Sequence, residues 1–137
     1  MTSYAALQVP GPTITDLSAP FWDGAQGGKL MLQICKACQT HVFYPRPLCP
    51  HCWRGKMEWV PASGRGTLKS YSQIWKPGHS GWIPVAPYYV GLVHLHEGPT
   101  LLSHILTDKD TLSVGDPLVL APTDVAGRIL PFFDTTK

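Results

Sequence analysis

Cys35-Lys36-Ala37-Cys38, ten intervening residues, then Cys49-Pro50-His51-Cys52 is the stretch that decides the fold. A CxxC turn brings two sulfurs to one side of an ion, and two such turns complete a tetrahedral thiolate shell. Zinc, which has no geometric preference from its d electrons, is the expected ion, although an iron centre or a redox dithiol would use the same spacing. The ten-residue separation leaves room for one short strand near His41 to Tyr44 and a return. Four thiolates close the shell, so the expected metal is structural and cannot activate water. His41 and His51 lie nearby, but no cysteine is missing for either to replace.

Working outward, Leu30, Leu32 and Ile34 alternate with Lys29, Met31 and Gln33, the period-two pattern of a strand that enters Cys35. Lys56 to Val60 reads as the strand that leaves, which gives a zinc ribbon over residues 29–61. Upstream, Met1 to Ser18 carries Pro10 and Pro12 without periodicity and is expected to be an extended arm. Ser18-Ala19-Pro20 has the capping hydroxyl and first-turn proline of a helix start, and Gly27-Gly28 ends the helix. Arm and short helix occupy residues 1–28, with Phe21 and Trp22 pinning the helix to the body.

Downstream of Pro61 the texture is that of short strands punctuated by Gly and Pro. Residues 66–76, 88–96, 100–107, 117–121 and 129–133 are the predicted strands, and one helical turn is expected over 108–113. Five short strands over 62–137 suit a small closed barrel, and the five-stranded OB-fold is the natural candidate. The whole chain is then mainly β. Composition agrees: 13 Gly and 14 Pro among 137 residues is about a fifth, against roughly 12% in average usage, and only 15% of residues are charged. A helical bundle is excluded.

No stretch approaches the roughly 18 apolar residues of a spanning helix, and the first residues have neither a basic start nor an apolar signal core. The expectation is a soluble cytoplasmic protein with no membrane partner, a compartment in which disulfides are rare. Net charge is +2 but unevenly placed: +7 between Lys29 and Lys76, −5 elsewhere. Lys36, Arg46, Arg54 and Lys56 surround the cysteines and would offset the −2 charge of a zinc tetrathiolate.

The remaining chemistry is sparse. No Gly-x-Ser-x-Gly elbow, dinucleotide fingerprint or phosphate-cradling Gly-Lys-Ser/Thr occurs, and the only cysteines are those of the metal set. His94, His96 and His104 fall on adjacent predicted strands and are read as barrel-surface histidines, since no carboxylate is placed to orient them. The loop from Lys76 to Pro87 is long for a hairpin connection and carries four prolines. Trp75 and an exposed Trp82 could stack on a ring and Lys76 could meet phosphate, which makes Trp75, Lys76, His79 and Trp82 the candidate contacts to a ligand or partner.

The order of these motifs resembles a family of small proteins, long labelled a domain of unknown function, that join a rubredoxin-like zinc ribbon to an OB-fold. The resemblance runs from Pro20-Phe21-Trp22 through Gly28-Lys29-Leu30, Tyr44-Pro45-Arg46, Glu58-Trp59-Val60, Ser63 to Thr67 and Pro87-Tyr88 to Val114-Gly115. It implies a structural zinc on Cys35, Cys38, Cys49 and Cys52. It also implies a thiolase-like catalytic partner in a hetero-oligomer, with an acyl-CoA thioester as shared ligand, and a small subunit that is itself non-catalytic. The CoA contacts would fall to Trp75, Lys76, His79 and Trp82. The alternative, a single-stranded nucleic-acid-binding zinc-ribbon and OB protein, is disfavoured by the acidic balance of the barrel half.

Overall fold

The computed structural model describes residues 4–108 and 111–135. A three-stranded antiparallel sheet of β1 (Met31–Cys35), β2 (His41–Val42) and β3 (Met57–Pro61), in the order β2-β1-β3, forms the ribbon. Five further strands close a barrel: β4 (Arg65–Ile74), β5 (Tyr88–Leu95), β6 (Thr100–Leu106), β7 (Pro117–Val125) and β8 (Arg128–Thr135), in the order β4-β5-β6-β8-β7. Only β6 and β8 run parallel, and β4 closes the circle onto β7 through Arg65 to Thr67. This mainly β arrangement is an OB-fold joined to a zinc-ribbon region.

β4 can serve two neighbours because it bends. Its register against β5 shifts between Leu68 and Ser70, leaving Lys69 as the extra residue of a bulge, where twist increases and the strand turns. The last two strands are longer than the sequence suggests, and β4 stops at Ile74 rather than Lys76. Ala126 and Gly127, at φ 54° and 92°, make a tight two-residue hairpin that lets β7 and β8 pair from Val125↔Arg128 down to Leu118↔Thr135. Pro122 and Pro131 face each other in that ladder, beyond the residues where β7 meets β4 and β8 meets β6, so neither ring deletes a bond from a second neighbour.

The helix α1 (Ala19–Gln26) starts on a first-turn proline and ends at Gly27-Gly28, with Gly28 at φ 81°. Its last carbonyls are closed by the Gly28 N–H on Ala25 O at 2.9 Å and the Lys29 N–H on Gly24 O at 2.8 Å. The expected Ser18 cap does not form. Ser18 is already in helical conformation (φ −92°, ψ −9°), not the extended one from which a cap side chain reaches back, and its hydroxyl bonds Thr15 instead. The arm is likewise not simply extended: Tyr4–Ala6 is a 3-10 turn and Leu7 is buried against Val125 and Phe132. Of the turn expected over 108–113, residues 109 and 110 lie outside the described residues. No helix among the described residues is long and apolar enough to cross a membrane.

One contiguous core cluster joins Phe21 of α1, Leu30 and Leu32 of the ribbon, and Leu68, Val93, Leu95, Ile105, Leu118 and Phe133 of the barrel. Ribbon and barrel therefore bury their apolar faces in each other. The β7–β8 hairpin tip is tied down on two sides, by the Ala126 N–H on Tyr4 O at 3.2 Å and the Ile129 N–H on Gln26 Oε1 at 3.1 Å.

Candidate metal centre and apolar groove

The strand β1 delivers Cys35 at its last residue and the tight turn that follows presents Cys38; the loop after β2 presents Cys49 and Cys52. The four Sγ atoms lie within 4.8 Å of one another, with Cys35–Cys52 at 3.6 Å and Cys38–Cys49 at 3.7 Å. Four sulfurs held about 2.3 Å from one zinc stand about 3.8 Å apart, so the set is close to that of a tetrahedral ion.

The two turns repeat each other. Cys35 Sγ accepts from the Ala37 and Cys38 N–H groups at 3.4 Å each, and Cys49 Sγ accepts from the His51 and Cys52 N–H groups at 3.3 and 3.5 Å. The fifth residue of each turn is left-handed, Gln39 at φ 61° and Trp53 at φ 62°, and its N–H closes onto the carbonyl of the first cysteine at 2.9 Å. At Cys35 the Cys38 N–H works towards the thiolate form a metal needs, but burial and the neighbouring Cys38 and Cys52 thiols outweigh it and the pKa is raised. Thr40, whose Oγ1 is 3.3 Å from Cys38 Sγ, is the first cause holding the Cys38 thiol down at about 6, and the Arg54 backbone N–H lowers Cys52.

Gly55 is a member of the site that sequence reasoning missed. It is buried, and a Cβ there would run into Cys35 Sγ and crowd Ala37. The signal was a glycine three residues after the last cysteine, too common a pattern to mark a close approach without coordinates. His51 is exposed and His41 half-buried, both outside the ligand set.

A second feature lies on the outer face of β5, β6 and β8. A groove of about 640 Å³ is walled by Leu102, His104 and Phe132 of the barrel, Trp22 of α1, Tyr44 of the loop after β2, and Trp82. Among the described residues no Asp, Glu, Lys or Arg lines it. A further cavity of about 820 Å³ lies on the far side of Tyr4 and His104.

His104 is not a surface histidine. It is 7% exposed, stacked between Phe132 (ring centroids 4.5 Å apart) and Tyr88 (4.7 Å), with Trp82 over it at 5.8 Å. Its Nε2 is 2.9 Å from the Tyr4 hydroxyl, and burial pushes its pKa down to about 4. The reading failed there because the residues that cover it come from the arm and the 3-10 turn Ser80–Val85, both remote in sequence. His94 and His96 are exposed, as expected.

The four candidate contacts are not brought together around one cavity. Trp75, 70% exposed, and Lys76 follow the end of β4, and His79 caps the 3-10 turn by accepting the Gly81 N–H on Nδ1 at 2.9 Å. Of the four, Trp82 alone lines the groove, and it is half-buried rather than exposed.

Two family models match the chain, "ChsH2, rubredoxin-like zinc ribbon domain" over residues 22–58 and "ChsH2, C-terminal OB-fold domain" over residues 59–121. The chain is similar to a chain of the solved "Ltp2-ChsH2(DUF35) aldolase", with 32% identity and a TM-score of 0.80 over 91% of this chain and 98% of that one. A DUF35-family protein of unknown function from Sulfolobus solfataricus shares the fold at 18% identity and a TM-score of 0.62, over 88% of this chain and 86% of that one. Among curated proteins, a "Probable enoyl-CoA hydratase alpha subunit" of Thermomonospora curvata is 36% identical over 114 residues, 81% of this chain and 34% of that protein. A "DUF35 domain-containing scaffold protein" of Methanothermobacter thermautotrophicus is 39% identical over 84 residues, 60% of this chain and 62% of that protein. The chain thus spans about a third of the first relative and less than two thirds of the second.

Proposed function

Since the chain belongs to the DUF35 family of ChsH2-type zinc-ribbon and OB-fold proteins, we propose that it is a non-catalytic accessory subunit of a thiolase-like complex that acts on an acyl-CoA thioester in the cytoplasm. In this role it stabilises a catalytic partner and helps shape the channel for the CoA or acyl group, with Trp75, Lys76, His79 and Trp82 as contacts to CoA or partner. Zinc on Cys35, Cys38, Cys49 and Cys52 supplies a fold-holding centre with no open coordination position. The observation that carries the reading is the match along nearly the whole of the DUF35 chain in the Ltp2-ChsH2 aldolase. The chain's chemistry is consistent with it: the four thiols are gathered in one cluster, and the buried His104 is stacked between rings and engaged by the Tyr4 hydroxyl.

The single-stranded nucleic-acid alternative draws no support from the outer β5–β6 face, where OB-folds commonly take nucleic acid, because no cation among the described residues lines the groove there to track phosphates. The test is co-purification with the product of the neighbouring gene, followed by CoA-thioester turnover with and without this chain. Turnover that depends on the chain is expected. Turnover indifferent to it, together with oligonucleotide binding on a steep salt slope, would overturn the proposal.

A further inference from the structure

We propose that the metal site and the apolar groove are linked: an uncharged hydrocarbon ligand occupies the groove, and the ribbon's metal fixes the wall that holds it. The inference goes beyond the accessory role and needs no catalytic partner, so each can fail without the other.

The groove's chemistry selects the ligand. Its volume of about 640 Å³ falls in the range of about 300–1,000 Å³ typical of small-molecule sites. With no charged side chain among the described residues on its walls, it offers no counter-charge to offset the desolvation of an ionised group. Its polar side chains are largely spent on each other: Ser103 Oγ donates to Pro131 O at 2.8 Å, His104 Nε2 is engaged by Tyr4, and Ser18 by Thr15. What remains for a ligand is mostly ring and aliphatic surface with a few uncharged hydroxyl and ring N–H groups, and it includes Leu102, which stands 60% exposed on the barrel wall.

The linkage follows from how the opposite wall is built. Tyr44 and Pro45 belong to the segment between Val42 of β2 and the ligand Cys49. That segment is gripped in the middle by Gln33, whose side-chain amide bonds the backbone of Arg46, and Gln33 lies two residues before the ligand Cys35 on β1. The ring of Phe43 packs on Phe21 at 5.3 Å, which joins the segment to α1. A metal that binds Cys35 and Cys49 therefore fixes both supports of the wall. By reciprocity, a ligand held by that wall stabilises the arrangement that holds the metal.

The test uses the full chain loaded with one equivalent of zinc and Nile red as an uncharged apolar probe. Saturable binding of one dye per chain is expected. At dye saturation the equilibrium partition of zinc between the chain and 4-(2-pyridylazo)resorcinol should shift about fivefold or more towards the chain, the lower end of common coupling factors. Leu102→Glu, an exposed position whose change leaves the core intact, should abolish both saturable dye binding and the shift. The proposal is overturned by dye that binds without altering the zinc partition, by undiminished binding in L102E, or by the absence of saturable binding to the zinc-loaded chain.

Discussion

The side chain of Gln33 pairs with the backbone of Arg46 as a strand residue would: Oε1 accepts the Arg46 N–H at 2.6 Å and Nε2 donates to the Arg46 carbonyl at 2.9 Å. Gln33 is 3% exposed, a buried polar residue whose amide is satisfied at both ends. Gln33→Leu should cost about 1–3 kcal/mol, because the substitution leaves the Arg46 groups without their partner. The denaturation midpoint of the zinc-loaded protein measures it, and a loss below about 0.5 kcal/mol, the size of an ordinary surface change, would refute the role.

Chelation is expected to loosen more than the ribbon. Leu30 and Leu32 sit in the same cluster as Leu68, Val93 and Phe133, so a ribbon that loses its metal withdraws part of the barrel's core. Hydrogen exchange after metal removal should show lost protection across β1–β3 and also faster exchange in β4 and β5. Protection that changes in the ribbon alone would count against the shared core as a mechanical link.

Gly55→Ala should weaken metal retention by about 10–100-fold, the usual effect of disturbing the groups that support a ligand. The added Cβ collides with Cys35 Sγ, and both the sulfur and the Ala37 turn must move to admit it. Zinc transfer to a competing chelator gives the ratio directly. Equal rates in variant and parent would show that the site accommodates a methyl group.

His104 gives the fold an acid-sensitive contribution. Burial favours the neutral ring, so the folded chain takes up the proton only near pH 4, whereas an unfolded histidine does so near its ordinary value of 6.5. Stability from this group is full above about pH 6.5 and falls as pH drops towards 4, by up to about 3 kcal/mol. His104→Phe should remove that slope while losing the Tyr4 hydrogen bond, a cost of about 1 kcal/mol at neutral pH. Denaturation midpoints of both proteins across pH 4 to 7 decide it: parallel curves would mean that His104 titrates as an exposed ring.

The architecture was legible wherever pattern is local. The CxxC spacing foretold the gathering of the four thiols, the alternation into Cys35 gave β1, and the Gly and Pro punctuation gave the five barrel strands. The far end of β7 was not legible, because Pro122 argues against strand by propensity and is tolerated only where no second ladder needs an N–H. The groove was invisible for a different reason. Its walls come from the residues before α1, the loop after β2, the 3-10 turn and three barrel strands, and no periodicity links segments so far apart. Trp82 shows the limit: an aromatic residue in a proline-rich loop reads as exposed until the histidine it covers is placed beneath it.

The burial of Leu30 and Leu32 among barrel side chains also bears on how such a protein can change over time. A ribbon whose strand completes its neighbour's interior is not a cassette. Cutting between residues 61 and 62 would leave each half with an uncovered apolar face, so neither half could be moved alone into another chain without a substitute for the other. Transfer of the pair as one piece is the economical route, and the same geometry ties every change in the ribbon's first strand to a compensating change on the barrel side.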